Sequence, residues 1–140
     1  MDHEIIKHAK NENWDICTYG LGYLGKRLYK VIPDMLGLSA KYYCDGDDSK
    51  VDSIILPGMK GIHKEDLIKT ESPKIIFILV DDPYDLEIQK MLAVNDHLHT
   101  VTLRELALMD DVIESFYGEA LYKKYKELTD YSVEHGGVHK

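Results

Sequence analysis

The run Gly20-Leu21-Gly22-Tyr23-Leu24-Gly25 has the G-x-G-x-x-G spacing of phosphate-binding turns. In a chain with 10 glycines among 140 residues the spacing alone is a weak signal, so its context has to carry it. A strand-like stretch, Ile16-Cys17-Thr18-Tyr19, precedes the turn, a helical pattern follows it, and Asp45 ends the next strand-like stretch. In such a unit each glycine has a task. Gly20 permits the tight turn, Gly22 lets backbone approach a pyrophosphate with no Cβ in the way, and Gly25 lets the helix pack closely on the sheet. Leu21, Tyr23 and Leu24 complete the cradle, and the helix start offers N–H groups and a positive dipole end to phosphate. Asp45 could accept hydrogen bonds from ribose hydroxyls, with Asp47 a nearby rival. An acid at this position disfavours the 2′-phosphate of NADP, and S-adenosylmethionine fits less well because its sites usually carry an acid-x-Gly-x-Gly run. The candidate ligands are NAD or another nucleotide diphosphate. The competing reading is a glycine turn that only packs a helix on a strand.

Other chemistry-bearing residues form weaker patterns. Asp81 and Asp82 follow the strand-like run Lys74 to Val80, and open α/β sheets bind ligands beyond the carboxyl ends of their strands. Asp81 could therefore face a ligand or a metal, whereas Asp82 before Pro83 reads as the N-cap of a helix. Tyr122-x-x-x-Lys126 has the spacing of a short-chain dehydrogenase acid/base pair, but it lies past the last strand, in a chain too short for a substrate domain. His97-x-His99 and His135-x-x-x-His139 have ligand-like spacings, but no cysteine or acid completes a tetrahedral set with either. No serine lies in a G-x-S-x-G elbow. No catalytic residue and no metal site is assigned. Tyr117, Tyr122, Tyr125 and Tyr131 crowd the C-terminal region, where they could pack a helix or meet a partner.

The elements that must position these residues alternate in type. Strand-like runs cover Ile16 to Tyr19, Ala40 to Cys44, Lys74 to Val80 and His99 to Thr102. A short one lies at Ile54 to Leu56 or at Met59 to His63. Leu24, Leu28, Val31, Ile32 and Met35 share one helical face and predict a helix from Tyr23 to Met35, frayed or kinked at Pro33. Lys64 to Lys69 reads as a short helix, and Asp82 to Val94 as a longer one. Thr102 and Glu105 have capping-box spacing before further helix to about Leu128. The continuous apolar run at 75–80 requires burial on both faces, as in an interior parallel strand. Together these predict a Rossmann-like α/β domain of about five parallel strands, order 3-2-1-4-5, with helices on both faces. The whole of 1–140 reads as a single domain with a core over about 14–118 and a C-terminal helix and frayed tail over 119–140.

Composition narrows the function classes. Apolar residues make up 44% of the chain, enough for a packed core, and the formal net charge is −8. An acidic chain is a poor candidate for binding nucleic acid or anionic membrane. The polar start, Met1 to Asn13, does not read as a signal peptide. Cys17 and Cys44 lie in apolar runs and read as buried thiols of a cytoplasmic protein.

Taken together, Tyr19 to Tyr29, Tyr43-Cys44-Asp45-Gly46-Asp47, Gly61-Ile62 and Glu65-Asp66-Leu67 resemble the small Rossmann-like domains of bacterial sugar and capsule pathways. Such domains precede FkbM-type methyltransferases, sugar acyltransferases and some glycosyltransferases. The resemblance spans about Trp14 to Leu106. It implies a nucleotide, a nucleotide-sugar or a CoA-like diphosphate held at Gly20, Gly22, Gly25 and Asp45, a role in carbohydrate metabolism, and no complete active site in the domain itself. Related domains often show Asp-Asn-Asp where this chain has Cys44-Asp45-Gly46-Asp47, which leaves the ribose contact open between Asp45 and a residue one or two positions away. Two other functions stay open. One is a minimal NAD-dependent oxidoreductase or epimerase subunit that needs a partner. The other is an interaction module with an empty glycine turn, forming a homo-oligomer or docking a partner enzyme domain through the tyrosine-rich end.

Overall fold

The computed structural model describes residues 4–107. Five parallel strands form one sheet: β1 (Asp15–Tyr19), β2 (Tyr42–Cys44), β3 (Lys60–Gly61), β4 (Lys74–Ile78) and β5 (Leu98–Thr102), in the order β3-β2-β1-β4-β5. This is the predicted α/β architecture and strand order. β4 lies between β1 and β5, and all five of its residues are buried. Ile75 and Phe77 enter one apolar layer, and Ile76 and Ile78 enter the other, which is why its sequence lacks the alternation of a half-exposed strand.

Seven helices among the described residues flank the sheet: α1 (Glu4–Asn11), α2 (Tyr23–Leu28), α3 (Val31–Met35), α4 (Asp48–Ser53), α5 (Lys64–Ile68), α6 (Tyr84–Leu92) and α7 (Leu103–Ala107). α1, α2, α3 and α7 bury Ile6, Ala9, Leu24, Leu28, Ile32, Met35, Leu103 and Leu106 in the layer with Ile75 and Phe77. α5 and α6 bury Leu67 and Leu92 in the layer with Ile76 and Ile78. Val51 of α4 joins a smaller cluster with Leu21, Tyr43 and Leu56. No helix among the described residues is long and apolar enough to cross a membrane.

Several boundaries correct the sequence reading. The single helix expected from Tyr23 to Met35 is two, divided at Tyr29 and Lys30. Pro33 has no N–H for the Tyr29 carbonyl, and its ring crowds that carbonyl, so the break falls one turn ahead of the proline. The second strand begins at Tyr42 rather than Ala40. The third strand is the Met59 to His63 alternative, cut to two residues. Asp82 does not cap α6. Its carboxylate takes a hydrogen bond from Arg104 instead, a charge-assisted partner stronger than a backbone amide, and Pro83, after a cis peptide bond, is the N-cap residue. By contrast, the Thr102–Glu105 capping box is present: Glu105 N donates to Thr102 Oγ1 at 3.3 Å, and Thr102 N donates to Glu105 Oε1 at 3.2 Å. The helix expected to Leu128, Tyr122 and Lys126, His135 and His139, the tyrosine-rich segment and the tail lie outside the described residues.

Candidate nucleotide site

Strand register places the site. Tyr19 is level with Cys44 on one side and Ile78 on the other, and Ile78 is level with Thr102. The four carboxyl ends therefore form one row, and the chain leaves it at Gly20, Asp45, Leu79 and Leu103. The connection from β1 runs to β2 on one side, while β4 lies on the other. The gap between β1 and β4 is thus the switch point where open α/β sheets leave a crevice.

The glycine turn is stitched across this row. Gly20 N donates to the Cys44 carbonyl at 2.9 Å, and Leu79 N donates to the Tyr19 carbonyl at 2.8 Å. Gly20 has φ +121, and a Cβ there would stand 2.9 Å from both the Leu79 carbonyl oxygen and Val80 Cγ1. A Cβ at Gly25 would come within 1.8 Å of the Gly20 carbonyl oxygen. These two glycines are demanded by the turn and by the seating of α2 upon it. Gly22 is different. Its φ is −83, it is exposed, and a Cβ there would meet nothing within 4 Å. Neither backbone conformation nor packing requires a glycine at that point.

A cleft of about 210 Å³ opens over Gly22, lined also by Tyr23, Leu24, Asp45, Lys50, Leu79, Val80, Asp81 and Tyr84. The structure thus brings together five of the eight expected residues: Gly22, Tyr23, Leu24, Asp45 and Asp81. Gly20, Leu21 and Gly25 lie beneath the cleft as its scaffold, and Leu21 is buried. Lys50 and Tyr84 were missed. Lys50 was missed because it sits in α4, whose N-cap Asp47 reads in the sequence as a ribose acceptor rather than as a helix start. Tyr84 gave no signal, since its place depends on the path of the chain at Asp82 and Pro83.

The two acids after β2 have separate tasks. Asp45 Oδ2 accepts from Leu21 N at 2.8 Å, and its Oδ1 accepts from Asp47 N at 2.8 Å. It clasps the glycine turn to the end of β2 while still lining the cleft. Asp47 caps α4, accepting from Ser49 N at 2.9 Å and Ser49 Oγ at 2.6 Å. The Ser49 hydroxyl and amide hold the Asp47 carboxyl below its ordinary value. Lys64 Nζ donates to the Gly46 carbonyl at 2.8 Å and pins the loop between the two acids.

The cleft margin carries two aromatic rings. Tyr23, the first residue of α2, has the Arg27 guanidinium 4.0 Å from its ring centroid, a cation–π contact. Tyr84 opens α6 on the other side. Elsewhere, His99 stacks on Trp14 with centroids 4.7 Å apart, near the amino ends of the strands, and burial lowers its basicity. A larger cavity of about 330 Å³ also lies near those amino ends, lined by Tyr29, Lys30, Asp34, Ser39 and the Pro57-Gly58-Met59 turn. It shares no lining residue with the cleft over Gly22. Cys17 and Cys44 are buried free thiols. Burial pushes the Cys17 thiol well up and the Cys44 thiol up to about 12, which leaves neither as a ready nucleophile.

No protein-family model, curated protein or solved structure matches this chain.

Proposed function

We propose that this chain binds a nucleotide whose diphosphate is esterified at both ends, NAD or a nucleotide-sugar, in the cleft over Gly22. The observation that carries the reading is Gly22 itself. Gly20 and Gly25 are explained by the fold, whereas Gly22 stands at the cleft floor with a permissive φ and open space above it. A bare backbone there is explained by a ligand group that must come close.

The lining supports a class of diphosphate. Asp45 and Asp81 set two carboxylates against the one ammonium of Lys50. An acid-rich rim repels added phosphate charge, so a diester diphosphate suits it better than a triphosphate, CoA or NADP. Lys50 is the counter-charge for the diphosphate. Asp45 retains acceptor capacity toward ribose, since a carboxylate offers about four lone-pair sites and the two loop hydrogen bonds use two of them. The cleft is smaller than the ~300–1,000 Å³ that encloses a drug-sized ligand, so the site holds the ligand's middle and leaves its ends near the surface. That suits a recognition domain whose ligand is handed to, or shared with, another domain or subunit. The resemblance to sugar-pathway domains favours a nucleotide-sugar.

Isothermal titration of the chain with NAD, NADP, CoA, UDP-glucose and S-adenosylmethionine tests this. NAD or UDP-glucose should bind, and NADP and CoA should bind at least tenfold more weakly. If nothing in the panel binds at millimolar concentration, the reading fails and the glycine turn is a packing device.

A further inference from the structure

Asp82 and Asp85 stand on either side of Tyr84 in the chain, and a single guanidinium takes both. Arg104 Nε donates to Asp85 Oδ2 at 2.7 Å, its Nη2 donates to Asp85 Oδ1 at 2.8 Å, and the same Nη2 reaches Asp82 Oδ1. Asp85 is 2% exposed, so this pair is a fixed part of the fold. A two-pronged arginine–carboxylate contact fixes orientation as well as distance. Arg104 stands in the first turn of α7, and the Thr102–Glu105 box sets where that helix starts. Gln89 of α6 also donates to Glu105 Oε1 at 2.8 Å and to Thr100 Oγ1 at 3.0 Å. The segment carrying Tyr84 is therefore held from behind by β5 and α7, while Tyr84, 36% exposed as a residue, stands at the cleft margin.

We infer, resting on the nucleotide reading above, that Tyr84 is the wall on which the ligand's planar base stacks and that Arg104 is the positioning residue that sets that wall. A large aromatic residue left partly exposed beside a cleft has a face to offer, and the π-face of a base is the ligand surface that fits it. Arg104 does not line the cleft. It acts through Asp82 and Asp85, so the orientation of Tyr84 depends on a residue one strand away.

The test is a double-mutant cycle read by ligand affinity, at a temperature well below each variant's melting point. NAD and UDP-glucose are the base-bearing probes, and inorganic pyrophosphate is the probe without a base. Tyr84→Ala should weaken the base-bearing probes by about tenfold, within the range of base–aromatic stacking. Arg104→Gln should weaken them by a similar factor, and the double variant should be no weaker than Tyr84→Ala alone, because both changes remove one interaction. Asp82→Asn leaves the buried Asp85 pair in place, so it supplies a folded variant of the same kind if Arg104→Gln unfolds. Arg104→Lys should restore affinity only in part, since an ammonium lacks the planar fork. Pyrophosphate affinity should be unchanged throughout. Losses that multiply in the double variant, or an equal loss of pyrophosphate, would overturn the positioning role. Wild-type binding that neither single change weakens would overturn the inference and leave the nucleotide reading standing. Failure of the wild type to bind NAD and UDP-glucose would overturn both.

Discussion

Gly22→Val sets the fold and the proposed ligand in opposition at one atom. With φ at −83 and nothing within 4 Å of a Cβ, the folded chain accepts the side chain without a clash. Valine is a poorer N-cap than glycine, which costs about 1 kcal/mol, and restricting the unfolded chain returns about 0.4–1 kcal/mol. The ligand-free melting temperature should therefore move by no more than about 3–5 °C at this chain length. Gly25→Ala is the control. Its Cβ would lie 1.8 Å from the Gly20 carbonyl oxygen, with backbone on both sides and no rotamer to relieve it. The cost should reach at least about 3 kcal/mol, the upper end of ordinary overpacking, and the melt should fall by about 10 °C or more. A ligand at 100 times its dissociation constant stabilises the wild type by about 2.7 kcal/mol. Gly22→Val should abolish that gain while leaving the ligand-free melt nearly untouched. Differential scanning calorimetry with and without NAD or UDP-glucose reads both quantities. A collapse of the ligand-free melt matching that of Gly25→Ala would make Gly22 a structural glycine and remove the main support for the site. A ligand shift that survives in Gly22→Val would place the ligand elsewhere.

Asp45→Ala should destabilise the chain by about 2–3 kcal/mol in a denaturant melt, because a charge-assisted bond to the Leu21 amide and another to the Asp47 amide both vanish; a loss of affinity with unchanged stability would mean that the clasp is idle. Lys50→Ala should leave the melt nearly unchanged and weaken nucleotide binding, with a shallower salt dependence in titrations at rising ionic strength. His63 Nε2 lies 2.6 Å from Asp52 Oδ1, and that hydrogen bond raises the imidazole above its ordinary value. Its tie between α4 and α5 is thus in force below about pH 6.5, the unfolded value, and fades as pH rises through the raised folded value; an NMR titration should show the raised midpoint return to normal in Asp52→Asn. Cys17 and Cys44 should resist a thiol reagent at pH 8 in the native chain and react fully in denaturant, and rapid native labelling would contradict their burial.

The parts of the fold legible in the sequence are those whose physics is local. The glycine turn could be read because each of its conditions falls within a few residues, and β4 because six apolar residues in succession have no other use. The Thr102–Glu105 box could be read because both partners lie within one turn. α1 was not legible: its buried face is carried by Ile6 and Ala9, with Ile5 partly buried beside them, among charged neighbours, and only packing on the sheet makes it a helix. α4 was hidden because Asp47, weighed as a ribose acceptor, is its N-cap. β3, two residues long, has no periodicity to detect. At the site, the sequence named the floor and one wall. It missed Tyr84 because Arg104, nineteen residues beyond Asp85, decides where that wall stands.

The stitching of the glycine turn determines what kind of evolution the site permits. Gly20, Leu21 and Leu79 are tied by their amides to Cys44, Asp45 and Tyr19, so the turn is held by the chain's own hydrogen bonds. On the proposed reading, a binder built this way would spend little of its association energy on ordering a loop. Its on-rate would then be set by diffusion and charge rather than by the opening of a lid. Recognition and scaffold then rest on different residues. Tyr23, Lys50 and Tyr84 are exposed at the cleft, so on that reading exchanging them would alter the ligand without disturbing the amide ties beneath. A lineage could move from one nucleotide to another through such surface exchanges while Gly20, Gly25 and Asp45 stay fixed.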